Sequence, residues 1–211
     1  MSTLVKAGLG IGTIAGVSGL GYGIYSSANS KPEVSSEKIE AISYATALNG
    51  TLLSTNENEN QTEWTARLGT LTSAEPNTLV DSLKQVKAKQ DPSVTWKDLQ
   101  KWCKDIIGNT KQEGNEFQNI QRYCTFSIKE KLKNIITEEN NNSDNEWAVG
   151  HTALKNVPNE ELDSELQTAK SQTDATANTS IKTWCNKAFA NPYKGEKDQE
   201  FKNASKICVK S

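Results

Sequence analysis

Apolar residues recur at helical spacing in two stretches that resemble each other. Residues 99–107 are apolar at positions i, i+3, i+4, i+7 and i+8, which are Leu99, Trp102, Cys103, Ile106 and Ile107. Residues 181–189 repeat this pattern with Ile181, Trp184, Cys185, Ala188 and Phe189. Side chains at these spacings share one face of a helix, so the pattern predicts two amphipathic helices with Trp-Cys on the buried face.

Other parts of the chain also favour helices. A second cysteine ends a related pattern downstream of each Trp-Cys stretch, over residues 116–124 and 200–208. Shorter helical stripes follow Pro76 and Pro158, two prolines that suit the first turn of a helix, and a weak stripe runs through residues 38–53. Alternating strand patterns are scarce, and residues 124–128 read as a short extended connector. We therefore predict a mainly α fold.

An internal repeat becomes visible when the two stretches are aligned. The matches keep a nearly constant offset along the chain, and they pair Leu52-Leu53 with Ile135-Ile136, Trp64 with Trp147, Pro76 with Pro158, Asp81 with Asp163 and Trp102 with Trp184. Several matches in the same order indicate tandem units. We predict two small helical units, residues 38–126 and 127–211. Thr95 and Asp98 have the spacing of a capping box before the first Trp-Cys helix.

The N-terminal segment differs from the rest of the chain. No charged residue occurs between Lys6 and Lys31, and residues 7–25 form an uninterrupted stretch of apolar and small residues. As a helix this stretch would span about 28 Å, close to the hydrocarbon thickness of a bilayer. We predict a membrane anchor or signal segment over residues 1–30, followed by a polar stalk over residues 31–37. Lys6 places the N-terminus on the cytoplasmic side and the remaining chain outside.

Three interpretations of this segment stay open. An uncleaved single-pass anchor in contact with membrane lipid is favoured. A cleaved signal peptide is the second, because Ser26-Ser27-Ala28 is a small-x-small cleavage pattern, and a soluble segment is the third. The glycines have the four-residue spacing of close helix packing, which makes a homo-oligomer through the anchor helix a candidate assembly; they are Gly8, Gly12, Gly16, Gly19 and Gly23.

The four cysteines allow three pairings, and the repeat selects one of them. It pairs Cys103 with Cys124 and Cys185 with Cys208, so that each pair lies within one unit. Such disulfides would fit an exported domain. Four reduced thiols remain an alternative. A zinc site is disfavoured because no Cys-x-x-Cys occurs, and a catalytic cysteine is disfavoured because His151 is the single histidine.

Composition narrows the function classes. The chain is 35% hydrophobic and 24% charged with a net charge of −2, so nothing favours nucleic acid as a partner. We find no pattern for catalytic, cofactor-binding or metal-binding residues and expect a non-enzymatic protein without cofactors. The tryptophans are expected in the core, since four of the five occupy repeat-equivalent positions. His151 is expected at the surface or partly buried.

The sequence resembles the paralogous membrane-anchored proteins of haemotropic mycoplasmas (haemoplasmas), a family with no assigned activity. The resemblance rests on the Gly/Ala-rich span at residues 7–16, on Leu52-Leu53 followed by a polar tract and Trp64, and on Trp102-Cys103 with Tyr123-Cys124-Thr125. Many members resemble a single unit behind the anchor, whereas this chain carries two. The resemblance implies surface display in large variable sets. It supplies no site residues.

Together these observations predict a membrane-anchored surface protein, an antigen or adhesin-like module that contacts a host cell surface or a serum protein. The alternative is a structural membrane protein that oligomerises through its Gly-rich helix, with the remaining chain as a spacer. Binding of the soluble part to host cells favours the first hypothesis. Loss of oligomers after changes at Gly12 and Gly16 favours the second.

Overall fold

The computed structural model describes residues 41–90, 92–137 and 143–210. Helices dominate this part of the chain, which confirms the mainly α prediction. The α-helices are α1 Tyr44–Ala47, α2 Gln61–Ser73, α3 Asp81–Lys87, α4 Trp96–Ile106, α5 Asn115–Cys124, α6 Ile128–Lys131, α7 Ser143–Lys155, α8 Ser164–Ser171, α9 Asp174–Phe189 and α10 Gln199–Ile207. Short 3-10 helices span Pro76–Thr78 and Asn159–Glu161. The extended segments among the described residues meet only as isolated bridges.

The helices bury the faces that the apolar spacing predicts. In α4 the buried apolar residues are Leu99, Trp102, Cys103 and Ile106, and in α9 they include Ile181, Trp184, Cys185 and Phe189. The buried apolar residues form two clusters, one drawn from positions 44 to 124 and the other from positions 128 to 208. Each Trp-Cys helix therefore lies in a different cluster. We call residues 41–126 the first half and residues 127–210 the second half.

Helices α1 to α5 of the first half recur in the same order as α6 to α10 of the second half. The backbone contacts recur as well. The Leu53 N–H donates to the Cys124 carbonyl at 2.9 Å, and the Ile136 N–H donates to the Cys208 carbonyl at the same distance. Leu53 is thus equivalent to Ile136, and Cys124 to Cys208, which is also how the sequence repeat aligns these residues.

The hydrogen bonds of two buried asparagines show that one part of the alignment between the halves is shifted by one position. Asn119 Nδ2 donates to the Thr78 carbonyl at 3.0 Å, and Asn203 Nδ2 donates to the Glu161 carbonyl at 2.9 Å. Thr78 and Glu161 are therefore equivalent, at an offset one position longer than the one that matches Pro76 with Pro158. The alignment follows burial, because the residues after Thr78 and Glu161 are the buried leucines of this segment, Leu79 and Leu162.

The starts of the helices agree in part with the sequence signals. Thr95 precedes α4, and its N–H donates to the Asp98 carboxylate at 2.8 Å, which confirms the capping box. Burial tends to raise the pKa of Asp98, but hydrogen bonds from Lys89 and Thr95 hold it below its usual value. Pro76 begins a 3-10 helix and Pro158 precedes one, so neither proline begins an α-helix.

The prediction of a helical stripe over residues 38–53 is mostly wrong for residues 41–53, the part of this range that the structure describes. Helix α1 has four residues and begins after Ser43, whose side chain accepts a hydrogen bond from the Thr46 N–H. Ile42 is 46% exposed. Gly50 has a φ of +79°, a conformation that favours glycine. The chain turns there, and Leu53 then donates to the Cys124 carbonyl beside the bridge of Leu52 with Thr125.

The predicted membrane segment lies outside the described residues, as do the glycines at positions 8, 12, 16, 19 and 23 and the stalk at residues 31–37. Across residues 41–90, 92–137 and 143–210, we find no helix with the length and apolar character needed to cross a bilayer. This finding concerns those residues alone, and the anchor stays a prediction.

Gly150 permits a close approach of α7 to α10. A Cβ atom at this position would lie 2.5 Å from the Ile207 carbonyl oxygen, a backbone atom that cannot move aside. We expect Gly150→Ala to lower the free energy of unfolding by about 1–3 kcal/mol, the cost of overpacking. Chemical denaturation followed by tryptophan fluorescence measures this change.

The matched control is Gly69 in α2, where an added Cβ meets no atom within 4 Å. We expect Gly69→Ala to be neutral or to stabilise the protein by up to about 1 kcal/mol, because alanine is the better helix former. Equal effects of the two substitutions would contradict the close approach at Gly150.

Candidate functional site

The predicted cysteine pairs form disulfides. Cys103 bonds to Cys124 and Cys185 bonds to Cys208, with Cα atoms 5.7 Å apart in both cases. Each bond joins the Trp-Cys helix of one half to the end of the last helix of that half. All four cysteines are at most 1% exposed. The disulfides are therefore parts of the two cores, and the structure confirms both pairings.

The tryptophans also belong to the cores. Trp64, Trp102, Trp147 and Trp184 are all buried, as the repeat predicts, and Trp96 packs against the first cluster with part of its surface exposed. Trp102 Nε1 donates to Ser82 Oγ at 3.1 Å, and Trp184 Nε1 donates to Asp163 Oδ2 at 2.7 Å. Buried indoles whose N–H groups find partners are typical of core packing.

The prediction for His151 is wrong, because this residue is 2% exposed. Its Nδ1 lies 3.1 Å from Asp174 Oδ1, in the first turn of α9. Asp174 also pairs with Lys155, and hydrogen bonding and charge from Lys155, then from His151, lower the pKa of the Asp174 carboxyl. The contact of α7 with α9 buries the imidazole, and helix packing of this kind is not visible in the sequence around one histidine.

Residues 125–128 join the halves without a free linker. The Phe126 N–H donates to the Thr51 carbonyl at 2.9 Å in the first half. The Phe126 carbonyl accepts from the Tyr193 N–H at 2.7 Å, and the Ile128 N–H donates to the Asn191 carbonyl at 3.0 Å, both in the second half. Phe126 is thus hydrogen-bonded to both halves through its own backbone.

A buried arginine strengthens this junction. Arg67 Nε donates to the Thr125 carbonyl at 3.1 Å, and Arg67 Nη2 lies 2.5 Å from Glu130 Oε2. Glu130 also accepts a hydrogen bond from the Ser127 N–H at 2.8 Å. The repeat-equivalent positions hold Gly150 and Thr46, which cannot form this pair. Among the described residues, this ion pair is therefore a feature of the junction without a counterpart elsewhere in the repeat.

A cleft of about 580 Å³ lies beside the junction and takes its walls from both halves. The segment before and within the first 3-10 helix contributes Glu75 and Thr78. Helix α5 contributes one face, with side chains at i, i+3 and i+4, which are Gln118, Gln121 and Arg122. The loop between α9 and α10 contributes Lys194. These side chains make the wall of the cleft rich in polar groups.

The cleft holds two cations, Arg122 and Lys194, and two carboxylates, Glu75 and Glu200. Arg122 and Lys194 form no ion pair within the part of the chain that the structure describes. The Glu200 carboxylate already accepts from Asn191 Nδ2 at 2.6 Å. Burial raises the pKa of the Tyr123 phenol, and the neighbouring Arg122 guanidinium opposes that rise. The cleft therefore offers two cations that can meet an external anion.

Sequence reasoning missed the cleft and the junction, although the repeat carried a signal for both. Arg67 and Glu130 differ in type from their equivalents, Gly150 and Thr46. Thr78 likewise stands where the second half has Glu161. A comparison of the halves position by position would have marked these residues as departures from the repeat.

Comparisons with known proteins found no matching protein family, no similar curated protein and no similar solved structure.

Proposed function

We propose that the protein is a non-enzymatic surface protein that residues 7–25 anchor in the cell membrane. In this proposal residues 38–126 and 127–211 are two tandem helical units outside the cell, which contact a host cell surface or a serum protein as an antigen or adhesin-like module. The observation that carries the proposal is the pair of buried disulfides. Structural disulfides persist in oxidising environments and are rare in the cytosol.

Further features support parts of this proposal. The apolar N-terminal stretch would provide export, and Lys6 before it favours a cytoplasmic N-terminus. The junction at residues 125–128 hydrogen-bonds to both halves, so the two units would face a partner as one body. A disulfide in each unit would also help a small core to remain folded outside the cell.

The test is to map the cysteines in protein taken from its native membrane. Cells are first quenched in acid, which stops thiol-disulfide exchange. The protein is then denatured in the presence of an alkylating reagent, so that any thiol is blocked as the buried sulfurs become accessible. We expect peptides linked through Cys103–Cys124 and Cys185–Cys208. In parallel, intact cells are treated with an amine-reactive label that does not cross membranes, and exposed lysines such as Lys101 and Lys187 are expected to react.

Four alkylated thiols and unlabelled lysines would place the folded part in the cytoplasm and overturn the proposal. A cytoplasmic protein with many lysines serves as the control for membrane integrity. Labelling of that control would disqualify the preparation before the surface lysines are scored.

A further inference from the structure

A basic residue occupies equivalent positions in the two halves, but the residue that faces it differs. In the second half, Lys206 of α10 lies 3.5 Å from Glu161 of the 3-10 helix. The equivalent residues of the first half are Arg122, two positions before Cys124 as Lys206 is before Cys208, and Thr78. Thr78 has no charge to pair with a cation. The Arg122 guanidinium, which lies at the wall of the cleft, is therefore without a carboxylate partner among the described residues. The cation is retained where its partner is replaced.

The second half adds a cation to the same cleft. Lys194 follows Tyr193, whose N–H donates to the Phe126 carbonyl, so the junction holds this loop against the first half. Lys194 is exposed and forms no ion pair with any described residue. Two cations from different halves thus line one cleft, and the junction sets their separation.

We propose that this cleft binds an acidic oligosaccharide, with Arg122 as the main contact to its carboxylate and Lys194 as a second cation. The proposal names the ligand class of the surface protein proposed above and rests on that function. Arginine suits this role because its planar guanidinium can bind a carboxylate through two parallel hydrogen bonds.

The remaining polar groups favour a hydroxylated ligand over a simple anion. Gln118 and Gln121 share the face of α5 that carries Arg122, and each carboxamide both donates and accepts hydrogen bonds. Glu75 and Glu200 add acceptors that would repel a bare anion but can accept from hydroxyl groups. A sugar that carries one carboxylate and several hydroxyls uses all of these groups.

The scarcity of exposed apolar residues argues against a protein ligand here. Protein interfaces depend on a few aromatic or aliphatic residues that become buried. Among the described residues, the large apolar side chains that are exposed are Ile42 and Val149, and neither lines the cleft. The volume of about 580 Å³ is within the range of small-ligand sites.

The test is calorimetric titration of the full chain in detergent micelles. The probes are sialyllactose and a hyaluronan tetrasaccharide, with lactose as the neutral probe and a hexaglutamate peptide as the protein-like anion. We expect saturable binding of at least one acidic saccharide and no measurable binding of lactose. Arg122→Gln should weaken this binding by at least about tenfold, as expected for a lost charge-assisted pair.

Thr78 provides the matched pair of variants. Thr78→Glu copies the second half and gives Arg122 an internal carboxylate, so we expect binding to weaken by about tenfold or more. Thr78→Gln has nearly the same shape as Thr78→Glu but lacks the charge, so we expect it to weaken binding clearly less than Thr78→Glu does. Lys206→Gln removes the equivalent cation outside the cleft and should have no effect. Circular dichroism verifies that each variant is folded.

Three results would overturn the inference. They are no saturable binding of either acidic saccharide, equal binding of lactose or hexaglutamate, and unchanged binding by Thr78→Glu or Arg122→Gln. Cysteine mapping tests the cellular location independently. Saccharide binding by a protein with reduced cysteines in the cell would refute surface display and leave the cleft proposal standing. Disulfide-bonded protein that binds no saccharide would do the reverse.

Discussion

Replacing Cys185 and Cys208 together by alanine is expected to lower the free energy of unfolding by about 3 kcal/mol, because the disulfide closes a loop and so reduces the entropy of the unfolded chain. The two cysteines are separated by 23 residues in the sequence. Chemical denaturation of the full chain in detergent micelles measures the change. Tryptophan fluorescence is the probe, since Trp147 and Trp184 lie in the same core.

The other disulfide is the matched comparison. Cys103 and Cys124 have a sequence separation of 21, so their double alanine variant should lose a similar free energy, with the signal carried by Trp64 and Trp102. A loss of less than about 1 kcal/mol in both variants would show that the disulfides do not stabilise the fold. Removing both cysteines of a pair avoids a free thiol that could form new disulfides.

Arg67→Met is expected to lower the free energy of unfolding by about 3 kcal/mol, since it breaks a largely buried ion pair from one side. The Arg67 side chain is 9% exposed and its partner Glu130 is 21% exposed. Removing the guanidinium leaves that carboxylate without its counter-charge and the Thr125 carbonyl without its donor. Such losses are typically about 3–5 kcal/mol, and the partial exposure of Glu130 puts this pair at the low end. The same denaturation experiment measures it.

The exposed pair of Lys84 with Asp81 serves as the control. Its side chains are 43% and 90% exposed, so Lys84→Met should change stability by less than about 0.5 kcal/mol. Adding Glu130→Gln to Arg67→Met should restore part of the loss, because the second substitution removes the uncompensated charge. A double variant that loses the full sum of the two single losses would contradict a direct pair.

The Arg67 experiment also bears on the cleft. The pair of Arg67 with Glu130 and the hydrogen bonds of Phe126 hold the loop at residues 191–195 against the first half, and this loop carries Lys194. A looser junction would change the separation of Lys194 from Arg122 without altering either residue. Arg67→Met should therefore weaken saccharide binding even where the protein remains folded.

The sequence was sufficient for the features that depend on local spacing and on the repeat. The period of the apolar residues places the faces of α4, α5, α9 and α10, because a helix turns by a constant angle per residue. The repeat then selects the disulfide pairing, since equivalent cysteines must occupy equivalent positions. The capping box at Thr95 and Asp98 was likewise readable, because both partners lie within one turn.

Other features were decided by contacts between distant segments. Helix α1 ends at Ala47, and the chain turns at Gly50 before Leu53 donates to the Cys124 carbonyl. His151 is buried because α7 packs against α9. Both results depend on neighbours that are far away in the sequence, and local patterns hold no information about such neighbours.

The sequence by itself determined a helical chain with an internal repeat, two disulfides and Trp-Cys helices in the core, because each of these follows from periodicity or from equivalence. The tertiary structure decided how the two halves meet. The Arg67–Glu130 pair, the hydrogen bonds of Phe126 and the cleft between Arg122 and Lys194 join residues from different halves. Their geometry exists only once both cores have formed, because folding brings these residues together from distant positions in the sequence.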